Sequence, residues 1–146
     1  MKRLIVAFVF FLLPLSVFAI TPESVIKLTN QTRIEHGLMP LKVNWRLNLS
    51  AMGKVLSMDR GNYFAHKTPS GLTFAYWIDQ AGYRFKKAGE NLAHDFKTTK
   101  IMQKAFMESK THKENILNPK YKDIGVAVKG KYVVIHFGYG QLRSCS

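Results

Sequence analysis

The chain has 146 residues, 47% of them hydrophobic, and carries 22 Lys and Arg against 9 Asp and Glu, which gives a formal charge of +13. An apolar fraction of this size, with 10 Phe, 6 Tyr and 2 Trp, can bury a core, which argues against intrinsic disorder. A single cysteine, Cys145, excludes an internal disulfide scaffold and a cysteine-based zinc finger.

The N-terminal segment has the pattern of a secretory signal peptide. Lys2 and Arg3 form a positive region, residues 4–18 are an apolar run, and cleavage is expected after Ala19. The alternative, an uncleaved anchor, needs about 20 apolar residues to span a membrane, and this run is shorter. The sequence therefore predicts a signal peptide over 1–19 and one exported domain, secreted or periplasmic, over 20–146.

Four helices are predicted in the exported domain. The first starts at the N-cap Thr21 with Pro22 behind it, and Gly37 ends it. Apolar residues spaced three and four apart indicate the second helix. The fourth begins with Thr99 as its N-cap. The predicted ranges are residues 21–36, 47–61, 73–81 and 99–108. Trp45, Tyr76 and Trp77 are expected in the core.

The C-terminal third changes from helical to strand periodicity. Ile124, Val126 and Val128 alternate with other residues, and a second alternating run, 133–137, follows Gly130. Gly130 and Lys131 are the expected turn of an antiparallel hairpin. Helices flanking a small antiparallel sheet imply a layered α+β domain.

Three of the five histidines receive structural assignments. His36 lies at a predicted helix C-terminus, His94 follows a loop that begins with glycine, and His136 lies in the last strand. The other two, His66 and His112, lie in polar, turn-forming segments beside predicted helices. They are the better candidates for chemistry.

Glu90 is the candidate acidic residue of the site. It lies in a small, otherwise apolar segment, 88–93, between the two candidate histidines. A carboxylate in such surroundings needs a partner that offsets its desolvation. Taken alone, two histidines and one glutamate dispersed along the chain are a weak signal.

The order of short motifs along the chain resembles the CAP superfamily of cysteine-rich secretory proteins, antigen 5 and pathogenesis-related 1 proteins, also called the SCP domain. The resemblance extends from about Val25 to Gly138. The short segment around His112 and the lack of paired cysteines are similar to those of the prokaryotic members. The motifs are Asn30-Gln31-Thr32-Arg33, His66-x-x-Pro69-x-Gly71, Ala81-Gly82-Tyr83, Gly89-Glu90-Asn91-Leu92-Ala93, Ser109-x-x-His112-x-x-Asn115-Ile116-Leu117 and Ile124-Gly125-Val126.

The resemblance implies a three-layer α-β-α sandwich with a cleft lined by two histidines and two acids, which in some members holds a divalent metal such as zinc. His66, His112 and Glu90 match three of these positions. The position of the second acid falls on Ser109 in this chain, and the adjacent Glu108 is the nearest acidic residue. Residues next to each other on a helix point about 100° apart, so the orientation of Glu108 stays open.

Three functions are compatible with these features. The first is a binding or interaction module for a lipid-like, envelope or host ligand, as the range of family roles implies. The second is a metal-dependent hydrolase that uses His66, Glu90 and His112, since zinc with an open coordination position acidifies a bound water. The third is a basic protein attached to anionic polymers or a lipid surface through exposed lysines. The expected stripe is Lys97, Lys100 and Lys104.

Overall fold

The computed structural model describes residues 19–140. The predicted signal peptide up to residue 18, and Cys145, lie outside the described residues. Within them, no helix combines the length and apolarity that crossing a membrane requires. Nine elements follow in chain order: α1 (Pro22–Glu35), β1 (Lys42–Val43), α2 (Trp45–Gly61), α3 (Phe74–Gln80), β2 (Phe85–His94), α4 (Thr99–Glu108), α5 (Lys110–Ile116), β3 (Asp123–Lys129) and β4 (Tyr132–Gly140).

The helix termini follow from local chemistry. At the start of α1, Thr21 and Ser24 form a reciprocal capping box, and Pro22 occupies the first turn, where its missing N–H costs nothing. Gly37 ends the helix with a φ of 73°, as predicted. The N-cap of α4 is Thr98, whose hydroxyl accepts a hydrogen bond from the Ile101 amide, so the predicted N-cap Thr99 is one residue too late.

The sheet has the strand order β1-β3-β4-β2. The predicted hairpin of β3 and β4 is confirmed, and β2 adds to β4 in an antiparallel register that sets Glu90 opposite His136. The short β1 pairs with β3 in parallel, so the sheet is mixed rather than wholly antiparallel. Neither β2 nor the seven-residue α5 is predicted from the sequence.

Helices cover both faces of the sheet, which confirms the α-β-α sandwich. Because side chains alternate along a strand, the two faces of β3 and β4 build separate apolar clusters. On one face, Ile124 and Ile135 pack with α1 and α4. On the other face, Ala127 and Val134 pack against α2. The site described below lies on the α2 face and around the edge strand β2.

Two aromatic residues are not where the sequence predicts them. Trp45 is 59% exposed and Tyr76 is 39% exposed, so neither belongs to the core. The Trp45 ring instead supports the guanidinium of Arg46, which lies 4.4 Å from the ring centroid. Trp77 is half-buried and packs edge-on against Tyr76.

Candidate functional site

A buried carboxylate organises the site. Glu90 lies in β2 with its side chain fully buried, directly opposite His136 of β4. The Glu90 Oε2 atom lies 3.0 Å from His136 Nε2, and Oε1 lies 2.8 Å from His66 Nδ1. Both oxygens therefore have an imidazole partner, which meets the requirement that the sequence imposes on a carboxylate in an apolar segment.

His136 is held on its other side by α2. The Ser50 hydroxyl lies 2.9 Å from the Leu47 carbonyl and 2.6 Å from His136 Nδ1, so it links the imidazole to the backbone of α2. We name Ser50, His66, Glu90 and His136 the histidine–glutamate cluster.

The surroundings keep Glu90 ionised. Burial acts to raise the pKa of this carboxyl, but hydrogen bonds from His136 and His66, with the charges of His136 and Lys54, outweigh burial and lower it. An ionised Glu90 accepts the hydrogen bond from His66 Nδ1. When the imidazole is neutral, the lone pair of His66 therefore lies on Nε2, in a side chain that is 58% exposed.

A buried lysine positions the segment that carries His66. Lys54 of α2 is fully buried, and its ammonium donates to the carbonyls of Ala65 at 2.7 Å and His66 at 3.2 Å. Burial lowers the pKa of Lys54, while the charge of Glu90 acts in the opposite direction. Lys54 thus fixes the backbone of the His66 segment and balances charge beside Glu90.

His112 approaches the same region from α5. Its Nδ1 lies 2.9 Å from Ser109 Oγ, and its ring packs 4.9 Å from that of Phe106. Burial, and secondarily the nearby charge of His66, lower the pKa of His112, which leaves its imidazole neutral at pH 7. The histidines at 66 and 112 are therefore close enough to interact electrostatically.

Two asparagines fasten α5 to the edge strand. Asn115 donates from Nδ2 to the Glu90 carbonyl at 3.1 Å and to Asn91 Oδ1 at 2.9 Å. Asn91 in turn donates to the His112 carbonyl at 3.1 Å. These hydrogen bonds explain why the Gly-Glu-Asn segment and the histidine segment belong to one site although they are distant in sequence.

Glu108 does not join the other three candidates. Its side chain is 68% exposed and lies 3.8 Å from Lys104 in an ion pair along α4. Ser109 stands at the family's acid position and contacts His112 as a hydroxyl.

The arrangement does not fit a zinc centre with three or four protein ligands. Among residues 19–140, no group of three or more His, Cys, Asp and Glu is placed to hold a metal ion. Both Glu90 oxygens already face histidines, so this carboxylate acts through the imidazole that it orients. Metal binding stays a prediction.

Sequence reasoning missed three members of this environment, namely Ser50, Lys54 and His136. His136 is assigned a structural role above, yet it is fully buried and bonded to the candidate acid. The sequence signal that could have identified His136 is its position in the strand. A polar side chain on the helix-covered face of a strand needs a buried partner. Recognising β2 as the neighbouring strand would have identified Glu90 as that partner.

Known proteins to which this chain is similar include an extracellular protein and an outer surface protein. It is 40% identical over 104 residues to the uncharacterized protein YkwD of Bacillus subtilis (strain 168), a match that covers 71% of this chain and 40% of that relative. An extracellular protein of Bacillus anthracis that contains an SCP domain has a TM-score of 0.77 at 27% identity, over 80% of this chain and 39% of that one. The chain spans between 33% and 40% of the curated relatives that it matches.

The fold also occurs with little sequence likeness. An outer surface protein of Borrelia burgdorferi has a TM-score of 0.76 at 20% identity, over 82% of this chain and 92% of that one, which shows a common fold alone. The family model of the cysteine-rich secretory proteins matches residues 26–137. These residues include nearly all of the sheet, all helices except the start of α1, and the histidine–glutamate cluster, and the chain therefore belongs to the CAP, or cysteine-rich secretory protein, family.

Proposed function

We propose that this protein is an exported, non-catalytic binding module in which the surface between His66 and His112, where the family resemblance implies a cleft, receives an envelope or host ligand. The observation that carries the proposal is the double engagement of Glu90 by two histidines. A carboxylate used in this way orients imidazoles and rigidifies the cleft. The extracellular and surface context of the relatives supports a ligand outside the cytoplasm.

The cleft offers hydrogen-bond acceptors. Because His66 Nδ1 donates to Glu90, Nε2 of this largely exposed imidazole is the acceptor in its neutral form. The depressed pKa of His112 keeps a second neutral imidazole nearby. Such a pair recognises hydroxyl, amine or amide hydrogens, which are abundant in envelope glycans and lipid headgroups.

A hydrolase is the second candidate, because a carboxylate bonded to an exposed imidazole is the orienting half of a catalytic triad. Within residues 19–140, no Ser, Thr or Cys side chain forms a hydrogen bond to His66 Nε2, so a water molecule would have to be the nucleophile. His66 would then act as the general base and Glu90 would stabilise the imidazolium. His66 and Glu90 therefore serve both candidates.

One set of variants distinguishes the binding module from the hydrolase. Imidazole nitrogen resonances of the full chain are recorded by NMR with solubilised envelope lipids, peptidoglycan fragments or zinc chloride as the probe, and hydrolysis of p-nitrophenyl acetate is measured in parallel. His66→Ala and His112→Ala are compared with His94→Ala, because the His94 side chain is exposed and, within residues 19–140, forms a hydrogen bond only to its neighbour Asp95.

The binding module predicts that at least one envelope probe shifts the His66 and His112 resonances, and that ester hydrolysis is the same in all variants. Hydrolysis that is lost in His66→Ala and kept in His94→Ala would replace this proposal with the hydrolase. If no probe shifts either resonance, the binding module is rejected. A zinc-induced shift confined to these two histidines would support the metal that the sequence predicts.

A further inference from the structure

A second concave surface lies at the end of the sheet remote from the hairpin turn, and it has no lining residue in common with the histidine–glutamate cluster. Its volume is about 840 Å³, within the range of about 300–1,000 Å³ typical of ligand pockets. We name it the basic pocket, after its five cationic lining residues. They are Lys42, Arg46, Arg84, Lys86 and Lys122.

The fold draws these cations together from four separate segments. Lys42 is in β1, Arg46 is in the first turn of α2, Arg84 and Lys86 lie at the start of β2, and Lys122 immediately precedes β3. The parallel pairing of β1 with β3 sets Lys42 beside Lys122, where the Lys42 amide donates to the Lys122 carbonyl at 2.8 Å. The five cationic residues that line this one pocket concentrate positive charge, which favours a bound anion.

The pocket contains almost no compensating negative charge. The single carboxylate in its lining, Asp123, accepts a hydrogen bond from the Tyr83 hydroxyl at 2.6 Å. In the described part of the chain, Arg84 pairs at 3.7 Å with Asp79, which lies outside the lining, and no carboxylate lies within 4 Å of Lys42 or Lys122. Arg46 and Lys86 likewise have no ion-pair partner among residues 19–140.

The chemistry of the lining selects the type of anion. The guanidinium of Arg46 is steadied by the exposed Trp45 ring and presents its planar fork, which matches phosphate oxygens in a bidentate manner. The lysines add point charges to the lining of a pocket whose volume of about 840 Å³ exceeds that of one phosphate group. Two tyrosines, Tyr83 and Tyr139, complete the walls. We infer that the basic pocket binds a ligand carrying several phosphate groups.

Tripolyphosphate is the probe for the free anion, and vesicles containing phosphatidylglycerol are the probe for a lipid headgroup. Affinity of the full chain is measured for each probe by calorimetry or sedimentation. The test variant is Lys42→Ala/Lys122→Ala, and the matched control is Lys97→Ala/Lys100→Ala. Both remove two positive charges, but Lys97 precedes the N-cap of α4 and Lys100 lies in its first turn, both outside the pocket.

We expect the pocket variant to weaken the binding of a phosphate probe at least tenfold and the control to change it less than twofold, with affinity falling steeply between about 50 and 200 mM salt. Pocket-dependent binding of vesicles alone would identify a lipid surface that presents the phosphates of several headgroups, and pocket-dependent binding of tripolyphosphate would identify a free or polymeric phosphate. Equal losses in both variants, or no binding of either probe, would overturn the inference. His66→Ala tests whether the basic pocket acts independently of the histidine–glutamate cluster. We expect this variant to leave phosphate binding unchanged.

Discussion

The histidine–glutamate cluster and the basic pocket both concentrate ionisable side chains, but the fold treats their charges in opposite ways. In the cluster, Glu90 and His136 are removed from water and each polar atom has a partner at 2.6–3.0 Å. In the basic pocket, Lys42 and Lys122 stay exposed and have no ion-pair partner among the described residues. Buried charges determine stability because any unpaired member would be desolvated without compensation, whereas exposed charges remain available to a ligand.

The largest effect is expected from Glu90→Gln. The substitution keeps the shape of the side chain but leaves the buried charges of His136 and Lys54 without their carboxylate, which lowers the free energy of unfolding by about 3 kcal/mol. Urea denaturation measures the change. Glu108→Gln is the matched control, because Glu108 is 68% exposed, and it should change stability by less than about 0.5 kcal/mol. Equal losses of stability in the two variants would contradict the expected difference between buried and exposed carboxylates.

Gly125→Ala tests the close approach that builds the cluster. Gly125 of β3 lies opposite His136, and a Cβ at this position would lie 2.1 Å from the Leu47 backbone of α2. The helix must move, which costs about 2 kcal/mol and draws Ser50 away from His136. Denaturation and the His136 imidazole resonance report the two consequences.

Gly140→Ala is the milder comparison, since its added Cβ meets nothing nearer than 3.0 Å. A Gly125 variant with unchanged stability and an unchanged His136 signal would show that α2 can relax without disturbing the cluster.

The pH dependence of stability should have two phases, both of which lose stability as the pH falls. The folded-state pKa of His112 lies below that of the unfolded chain, so the unfolded state binds more protons once the pH drops below about 6.5. The pKa of Glu90 is also lowered, and its contribution, present above about pH 4.5, is lost in more acidic solution.

Each phase has a slope of at most about 1.4 kcal/mol per pH unit. Measuring the free energy of unfolding against pH should show that His112→Asn removes the first phase and keeps the second. A first phase that persists in this variant would assign it to another group.

The smallest effect on stability is expected from Lys42→Ala/Lys122→Ala. Removing two exposed, mutually repelling charges should change the free energy of unfolding by no more than about 0.5 kcal/mol, and slightly in the stabilising direction at low salt. Denaturation with and without added salt measures this. A loss of several kcal/mol would show that these lysines support the fold and would remove the contrast with Glu90.

Much of the fold could be predicted because its signals are local. Thr21 and Gly37 delimit the first helix, and alternation around the Gly130 turn identifies the β3–β4 hairpin. The edge strand β2 could not be predicted, because Gly89, Glu90 and Asn91 interrupt its apolar pattern and its pairing with β4 is distant in sequence. The helix α5 is short and has no side-chain cap, so it depends on tertiary contacts such as those of Asn115.

The amino-acid sequence by itself determined the termini of the first helix and the β3–β4 hairpin, since short-range hydrogen bonding and periodicity act over a few residues. The candidates at 66, 90 and 112 came from the order of motifs that resembles the family. Only the tertiary structure decided that Glu90 bonds to His136 as well as to His66, and that Glu108 points away. It also decided that cations from four segments line one pocket. The physical reason is that strand register and the packing of α2 on the sheet bring together side chains whose separation along the chain carries no local signal.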